Sequence, residues 1–332
     1  MFKKPRTVFY IIGGNVKMKT AFYTLGCKVN QYETNAMIQK FLDKKYEIVE
    51  FDGIADVYVI NTCSVTSISE KKSRQMIRKA KNVNPEAIVV AVGCYAQVAK
   101  EELEKISEID IILGTNEKND VVKYIEEYIE NRKAMEEVTD VMKQKEFLDF
   151  GQITYTEKTR AVIKVQDGCD RFCSYCIIPY ARGRVRSRDI ASVVSEVEQI
   201  VEKGIKEVVI TGIHIASYGK DLESGVKLID LLEELNKIEK LKRIRIGSLE
   251  PTLITEEFVN RLKKLEKMCD HFHLSLQSGC NDTLERMNRK YTVEEFEKGV
   301  MLLRNAFTNV TITTDIIVRV SGRNRRRVCK NV

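Results

Sequence analysis

Three cysteines in the second half of the chain have the spacing of an iron-sulfur ligand set. Cys169, Cys173 and Cys176 follow the pattern CxxxCxxC within the segment GCDRFCSYC. Three thiolates can hold three corners of a 4Fe-4S cube and leave the fourth iron without a protein ligand. An iron with an open position can bind a substrate, as the open site of a catalytic metal does. The pattern therefore predicts a catalytic cluster.

A zinc site is the structural alternative for these three thiols. Structural zinc takes four protein ligands, so a fourth cysteine or a histidine should lie nearby. The next histidine along the chain is the distant His214. The spacing therefore favours the iron cluster over zinc.

Three further cysteines are spread through the first half of the chain. Cys27, Cys63 and Cys94 are separated by 36 and 31 residues, close to the ~30-residue length of one βαβ unit. Each follows a predicted strand, and the carboxyl ends of parallel strands lie along one edge of a sheet. Taken singly, each thiol is better explained as a small buried hydrophobic side chain than as a ligand. Their shared position instead predicts a second cluster, whereas we interpret Cys269, Cys280 and Cys329 as structural or incidental.

The elements that position the second trio form an alternating α/β region at 18–134. Strands are predicted at 20–25, 57–60, 87–92 and 110–113, and helices at 30–43, 67–83, 98–106 and 121–133. Asn30 and Glu33 are predicted to form the N-cap pair of the first helix. Alternation of this kind is typical of a Rossmann-like parallel sheet.

A second alternating region follows a predicted linker at 135–158. Strands are predicted at 161–166, 207–211, 243–247, 271–276 and 311–318, with helices at 189–203, 226–240, 254–268, 281–288 and 293–306. Five β/α steps predict a partial parallel barrel at 159–318. The expected fold class is therefore α/β, with an N-terminal parallel-sheet domain and an incomplete (β/α) barrel.

The basic charge of the chain is concentrated at its two ends. The formal net charge is +7, and ten bases without an acid lie in the segments 1–17 and 319–332. The remainder holds 45 bases and 48 acids, so net charge gives weak support for a nucleic-acid partner. We interpret 1–17 as an upstream extension before a start at Met18. Nine cysteines without a convincing export signal or an apolar run of membrane-spanning length predict a soluble cytoplasmic protein with reduced thiols.

The CxxxCxxC segment resembles the radical S-adenosylmethionine superfamily. The resemblance implies that the open iron binds the amino and carboxylate groups of S-adenosylmethionine. Electron transfer then yields a 5′-deoxyadenosyl radical, which abstracts a hydrogen that acid-base chemistry could not activate. It also implies contacts to S-adenosylmethionine, although ordinary strand-end turns explain such residues nearly as well. These residues are Tyr175, Thr211, Gly212, Ser275, Gln277 and Ser278.

Longer segments resemble the methylthiotransferases within that superfamily. They are CKVNQYE at 27–33, NTCSVT at 61–66, VGCYAQ at 92–97, SLEP at 248–251 and LSLQSG at 274–279. The match extends over 18–318. The KVNQYE string resembles the bacterial branch that acts on N6-threonylcarbamoyladenosine in tRNA, beside the anticodon. Relatives acting on isopentenylated adenosine or on a ribosomal protein usually carry other residues there.

The resemblance implies a mechanism with two 4Fe-4S clusters. The cluster at Cys27, Cys63 and Cys94 delivers sulfur that one S-adenosylmethionine methylates, and the radical from a second removes hydrogen from carbon 2 of the adenine. An electron donor such as flavodoxin or ferredoxin and a sulfur donor are implied partners. Basic residues that follow the radical motif are expected to meet tRNA phosphates, with a solvated charged surface as the alternative. They are Arg182, Arg184, Arg186 and Arg188.

The resemblance ends after Val318. The family continues with a Gly-Phe-Pro-Gly-Glu-Thr turn, whereas this chain reads RVSGRNRRR at 319–327. Back-translation with AGG and AGA arginine codons, shifted by one base, permits the family sequence. We therefore expect a frameshift at 319–332, with a basic RNA-binding tail as the alternative. On this interpretation the last barrel step and the C-terminal RNA-binding barrel are absent, and activity is poor.

Three other functions are compatible with the sequence. The first is a methylthiotransferase for isopentenyladenosine in tRNA or for a ribosomal protein. The second is an inactive truncated product. The third is a noncatalytic metal-binding or RNA-binding module that uses its cysteines structurally.

Overall fold

The first half of the chain forms a six-stranded parallel sheet. The computed structural model describes residues 18–156 and 159–318, so the expectations for 1–17 and 319–332 lie outside the described residues. Strands β1 to β6 are Lys19–Thr24, Glu47–Val49, Val57–Thr62, Ile88–Gly93, Ile111–Leu113 and Met135–Glu137. Helices α1 to α5 are Lys28–Asp43, Ser67–Val83, Cys94–Val98, Lys100–Leu103 and Val121–Asn131. The strand order is β2-β1-β3-β4-β5-β6, and every neighbouring pair is parallel.

The central strands of this sheet are hydrophobic along their whole length because helices cover both faces. All six residues of β3 and of β4 are buried. Met37 and Phe41 of α1 pack on one face with residues of α5, and Met76 and Ile77 of α2 pack on the other face. Continuous burial of this kind is what a parallel sheet covered on both sides requires. The predicted α/β class is confirmed.

Three local features differ from the sequence-based expectation. Strands β2 and β6 were not predicted, because a three-residue strand is too short to show a period. Strand β6 pairs with β5, so the predicted linker at 135–158 opens with a strand of the sheet. Two short helices, α3 and α4, replace the predicted helix at 98–106.

The second half forms the barrel-like domain. Strands β7 to β13 are Ala161–Asp167, Arg186–Ser187, Glu207–Gly212, Arg243–Ile246, Ser248–Leu249, His271–Leu274 and Thr311–Thr313. Helices α6 to α11 are Ile178–Arg182, Ile190–Glu202, Leu228–Lys237, Glu256–Leu262, Asn281–Arg286 and Val293–Ala306. The strands form two parallel runs in chain order, β7-β9-β10 and β11-β12-β13, with β8 antiparallel to β7.

The helices of this domain pack one apolar stripe against the strands. In α7 the buried residues Val193, Val197, Ile200 and Val201 recur at helical spacing and join the core around β7 and β9. This packing leaves the carboxyl ends of the strands free to carry ligand-binding loops. Across the described residues, none of the helices has the length and apolar character needed to cross a bilayer.

Candidate iron-sulfur sites and the cavity between them

The topology brings Cys27, Cys63 and Cys94 to one edge of the N-terminal sheet. Cys27 follows β1, Cys63 follows β3 directly and Cys94 follows β4 directly. These three strands are neighbours in the sheet and run in the same direction, so their carboxyl ends are adjacent. Cys63 and Cys94 are buried, whereas Cys27 is exposed.

Two asparagines fix these strand ends to each other. The Asn30 side chain donates hydrogen bonds to the carbonyl oxygens of Leu25 at 2.7 Å and Thr62 at 3.1 Å. The Asn61 side chain donates to the Asn30 carbonyl at 3.0 Å. The predicted N-cap role of Asn30 is wrong, because α1 begins at Lys28 with Cys27 at the N-cap position. Asn30 instead joins the segment before Cys27 to the one before Cys63.

Glycine is required where the chain passes close to these side chains. Gly26 has φ +100°, and a Cβ there would lie 3.0 Å from the Cys63 sulfur. Gly93 has φ +107°, and a Cβ there would lie 2.7 Å from the Asn61 Oδ1 and 2.9 Å from the Thr62 carbonyl oxygen. Both the left-handed conformation and the close approach exclude a larger residue.

We expect Gly93→Ala to destabilise the apoprotein by about 3 kcal/mol, because backbone strain and overpacking add at this position. Gly204→Ala is the matched control, since Gly204 has φ +93° but no neighbour within 4 Å of the added Cβ. The control should lose only about 1 kcal/mol. Urea unfolding of both variants measures the difference, and equal losses would mean that the crowding around Gly93 is irrelevant.

The three thiols of this edge lie in one electrostatic neighbourhood. Burial raises the pKa of Cys63, and negative charge on Cys94 or Cys27 raises it further. The Val65 backbone N–H donates to the Cys63 sulfur at 3.5 Å. Three thiolates that repel each other are stabilised by a shared cationic centre, and N–H···S bonds are typical of iron-sulfur sites.

The second trio lies on the loop after β7. The Arg171 backbone N–H donates to the Cys169 sulfur at 3.4 Å, and the Arg289 guanidinium donates to the Cys173 sulfur at 3.3 Å. Burial raises the pKa of Cys169 to about 11, and charges on Cys173 and Cys176 add to that rise. The three thiols are therefore close enough for their charges to act on one another.

A second segment pins this loop in place. The Asn288 side chain donates to the carbonyl oxygens of Arg171 at 3.2 Å and Phe172 at 3.0 Å. Phe172 has φ +47°, a conformation that non-glycine residues adopt only when their surroundings hold it. The Asn288 contacts therefore hold this loop in its conformation.

A cavity of about 560 Å³ joins the two cysteine loops. Cys27 lines it from the N-terminal domain, and Cys169, Cys173 and Cys176 line it from the barrel domain. Its volume lies within the range of sites for small molecules. Five of the six predicted S-adenosylmethionine contacts also line it: Tyr175, Thr211, Gly212, Ser275 and Gln277. Ser278 is fully buried and is not among the lining residues.

The cavity also has charged lining residues that were not predicted as site residues, among them Glu250 and Arg289. The Glu250 carboxylate accepts hydrogen bonds from Arg171 at 2.9 Å and from the His214 imidazole. Burial raises the pKa of Glu250, but His214 and Arg171 outweigh burial and lower it overall. The SLEP segment contains Glu250, so its position after a strand could have drawn attention to it. Arg289 stands alone in the sequence and gives no comparable signal.

The expectation that four arginines contact RNA is wrong for three of them, because these three are buried. Arg182, Arg186 and Arg188 are 0%, 1% and 2% exposed. Arg182 pairs with Glu33, and Arg188 pairs with Glu196. A guanidinium enclosed with carboxylates cannot also meet an external phosphate. Arg184 is exposed and remains available.

The donor type in both trios, three thiols, is the one that four-iron clusters use. Within the described residues, no three His, Cys, Asp or Glu side chains are placed to hold one metal ion. In a 4Fe-4S cube each thiolate binds a different iron, so the thiolates surround a cube rather than an ion. All-thiol trios with N–H···S contacts match that requirement.

Family models match both halves of the chain. The model described as uncharacterized protein family UPF0004 matches residues 19–114, and the Radical SAM superfamily model matches residues 163–330.

Curated relatives match along most of the chain. The threonylcarbamoyladenosine tRNA methylthiotransferase MtaB of Aquifex aeolicus is 46% identical over 301 residues, which cover 91% of this chain and 73% of the relative. The protein of the same name from Bacillus subtilis is 44% identical, over 91% of this chain and 67% of the relative. A tRNA-2-methylthio-N(6)-dimethylallyladenosine synthase of Clostridium tetani is 33% identical, over 90% of this chain and 67% of the relative.

Solved structures share the fold at low sequence identity. The radical S-adenosylmethionine methyltransferase TsrM of Kitasatospora setae has a TM-score of 0.67 at 15% identity, covering 95% of this chain and 70% of that chain. The cobalamin-dependent S-adenosylmethionine radical enzyme OxsB has a TM-score of 0.64 at 12% identity, covering 95% of this chain and 51% of that chain. Both are similar to this chain in fold alone.

Proposed function

This chain belongs to the threonylcarbamoyladenosine tRNA methylthiotransferase family of radical S-adenosylmethionine enzymes, and we propose that it places a methylthio group on carbon 2 of N6-threonylcarbamoyladenosine in tRNA. The modified adenosine is expected beside the anticodon. We further propose that the chemistry uses S-adenosylmethionine and two 4Fe-4S clusters.

The observation that supports the proposal is a cavity lined by one cysteine of the N-terminal trio and by all three cysteines of the other trio. Cys27 lines it on one side and Cys169, Cys173 and Cys176 on the other, while Cys63 and Cys94 are buried. A sulfur-donating cluster and a radical-generating cluster must both reach the same adenine, so a shared cavity is what the reaction needs.

The residues present divide the binding tasks between the two domains. Cys169, Cys173 and Cys176 would hold the cluster that binds S-adenosylmethionine, and Cys27, Cys63 and Cys94 would hold the other. When bound, these groups supply the radical and sulfur chemistry.

The cavity wall carries polar groups that can orient the ligands. Residues along the barrel strand ends, from Thr211 and Gly212 to Ser275 and Gln277, face the methionine and adenosine parts of S-adenosylmethionine in this proposal. Ser278 supports that wall from inside. The ionised Glu250, held by Arg171 and His214, presents a fixed acceptor at the cavity.

The surface around the cavity suits an unpaired nucleotide loop. Exposed Tyr180 and Tyr175 offer rings on which a nucleobase can stack, and exposed Arg184 lies over the Phe172 ring at 4.8 Å. We propose tRNA as the macromolecular partner, flavodoxin or ferredoxin as an electron donor, a separate sulfur donor, and the cytoplasm as the location.

Mass spectrometry of tRNA nucleosides from a strain lacking this gene tests the proposed substrate. We expect loss of the methylthio group from threonylcarbamoyladenosine, with the parent nucleoside retained, and recovery when the gene is restored. Loss from isopentenyladenosine, or from a ribosomal protein with tRNA unchanged, would assign a different substrate. Unchanged tRNA and protein would contradict the proposed activity.

A further inference from the structure

A cluster of buried charges lies where the two domains meet. Two carboxylates, Glu33 and Asp167, face four cations. The cations are Lys118, Lys164, Arg182 and Arg186, and all six residues are at most 4% exposed. Four positive charges against two negative charges leave an excess of positive charge inside the protein.

Glu33 of α1 is the centre of the cluster. It accepts from Lys164 at 2.8 Å, from Arg182 at 2.5 and 3.0 Å, and from Lys118. Asp167 pairs with Lys164 at 2.6 Å and with Arg182 at 3.3 Å. Glu33 and Lys118 belong to the N-terminal domain and the others to the barrel domain, so the cluster forms only when the domains are docked.

These buried charges lie next to the N-terminal cysteine trio. Arg182 donates at 2.6 Å to the Asn30 side chain, which itself bonds the residues before Cys27 and Cys63. Helix α3, which begins at Cys94, packs against α6, which ends at Arg182. Burial lowers the pKa of Arg182, but negative charge on Cys94 and Glu33 outweighs burial and raises that pKa overall. For Lys118, burial outweighs negative charge on Glu33 and Cys94, so its pKa is lowered.

The excess positive charge requires an anionic neighbour. An uncompensated charge in the interior is costly, so buried charges are normally paired. Within the described residues, the Arg182 Nε and two Arg186 nitrogens are buried without a hydrogen-bond partner. A cluster held by three thiolates carries negative charge from its ligands. One of those thiols, Cys94, is close enough to Lys118 and Arg182 for its charge to act on both.

We propose that Lys118 and Arg182 are positioning residues for the N-terminal iron-sulfur cluster. Their buried positive charge stabilises the electron that this cluster gains on reduction, and the negative charge of Glu33 opposes that effect. The proposal rests on the cluster assigned to Cys27, Cys63 and Cys94 under the proposed function. Nearby fixed charge and burial are among the factors that set the reduction potential of an iron-sulfur centre. Domain docking would then set the potential at which sulfur chemistry begins.

The test is an EPR-monitored redox titration of the full chain carrying Cys169→Ala, Cys173→Ala and Cys176→Ala, so that only the N-terminal cluster is reconstituted. In that background we expect Lys118→Met to lower the ratio of reduced to oxidised cluster at least tenfold at fixed potential, a shift of 59 mV for one electron. Glu33→Gln should shift the ratio in the opposite direction. Lys118→Arg should resemble the parent, as should the exposed control Lys123→Met.

The possible failures are distinguishable. Absence of bound iron in the parent background would contradict the proposed N-terminal cluster itself. A bound cluster whose potential is unchanged in Lys118→Met and Glu33→Gln would overturn this inference alone. If Lys118→Met binds no iron, urea unfolding of its apoprotein distinguishes two explanations. An unfolding midpoint equal to the parent's supports the electrostatic role of Lys118. An unfolded apoprotein indicates a structural role and overturns the inference.

Discussion

Replacing Cys173 by alanine is expected to abolish reductive cleavage of S-adenosylmethionine by the reconstituted chain. The rate of 5′-deoxyadenosine formation should fall by about 10³-fold or more, equivalent to about 4 kcal/mol of activation free energy. Cys173 is buried, its sulfur accepts a hydrogen bond from Arg289, and alanine offers no ligand atom in its place. Chromatography of the nucleoside products after anaerobic reduction measures the loss.

Cys269→Ala is the matched control for this variant. Cys269 is a free thiol outside both trios and does not line the cavity. The control should cleave S-adenosylmethionine at the parental rate. Cleavage within a few-fold of the parent in Cys173→Ala would show that the CxxxCxxC thiols do not hold the catalytic cluster.

Replacing Cys94 by alanine is expected to separate the two halves of the reaction. Methylthio transfer to tRNA should fall by about 10³-fold, whereas 5′-deoxyadenosine should still form, because Cys94 belongs to the other trio. Cys94 follows β4 in the N-terminal sheet and is 3% exposed. Both products can be quantified by mass spectrometry from one reaction with tRNA.

The informative result is the difference between the two products. Persistent methylthio transfer in Cys94→Ala would remove the N-terminal trio from the mechanism. If both products are lost, urea unfolding of the apoprotein shows whether the variant is still folded. An unfolding curve equal to the parent's would then show that the two sites act as one unit.

The placement of the six cysteines could be predicted because it follows from local patterns and one topological rule. Cys63 and Cys94 come directly after buried strands, and parallel neighbouring strands end at the same edge. Short strands such as β6 and the start of α1 could not be placed, because three residues or one helical turn carry too little periodicity.

The charges between the domains could not be predicted, because their partners lie far apart in the sequence. Glu33 pairs with Lys164 and Arg182, which are 131 and 149 residues away. Sequence reasoning places arginines at the surface because they are rarely buried unless they are paired. The run from Arg182 to Arg188 therefore indicated an RNA-binding face, whereas in the structure three of its four arginines face carboxylates inside the protein.

Iron and sulfide content after anaerobic reconstitution tests the two-cluster mechanism most directly. We expect about eight irons per parent chain and about four in the variant carrying Cys27→Ala, Cys63→Ala and Cys94→Ala, since under the proposal each intact trio would hold one four-iron cluster. The triple variant should still cleave S-adenosylmethionine. About four irons in the parent, or the same iron content in parent and variant, would contradict a cluster at the N-terminal trio.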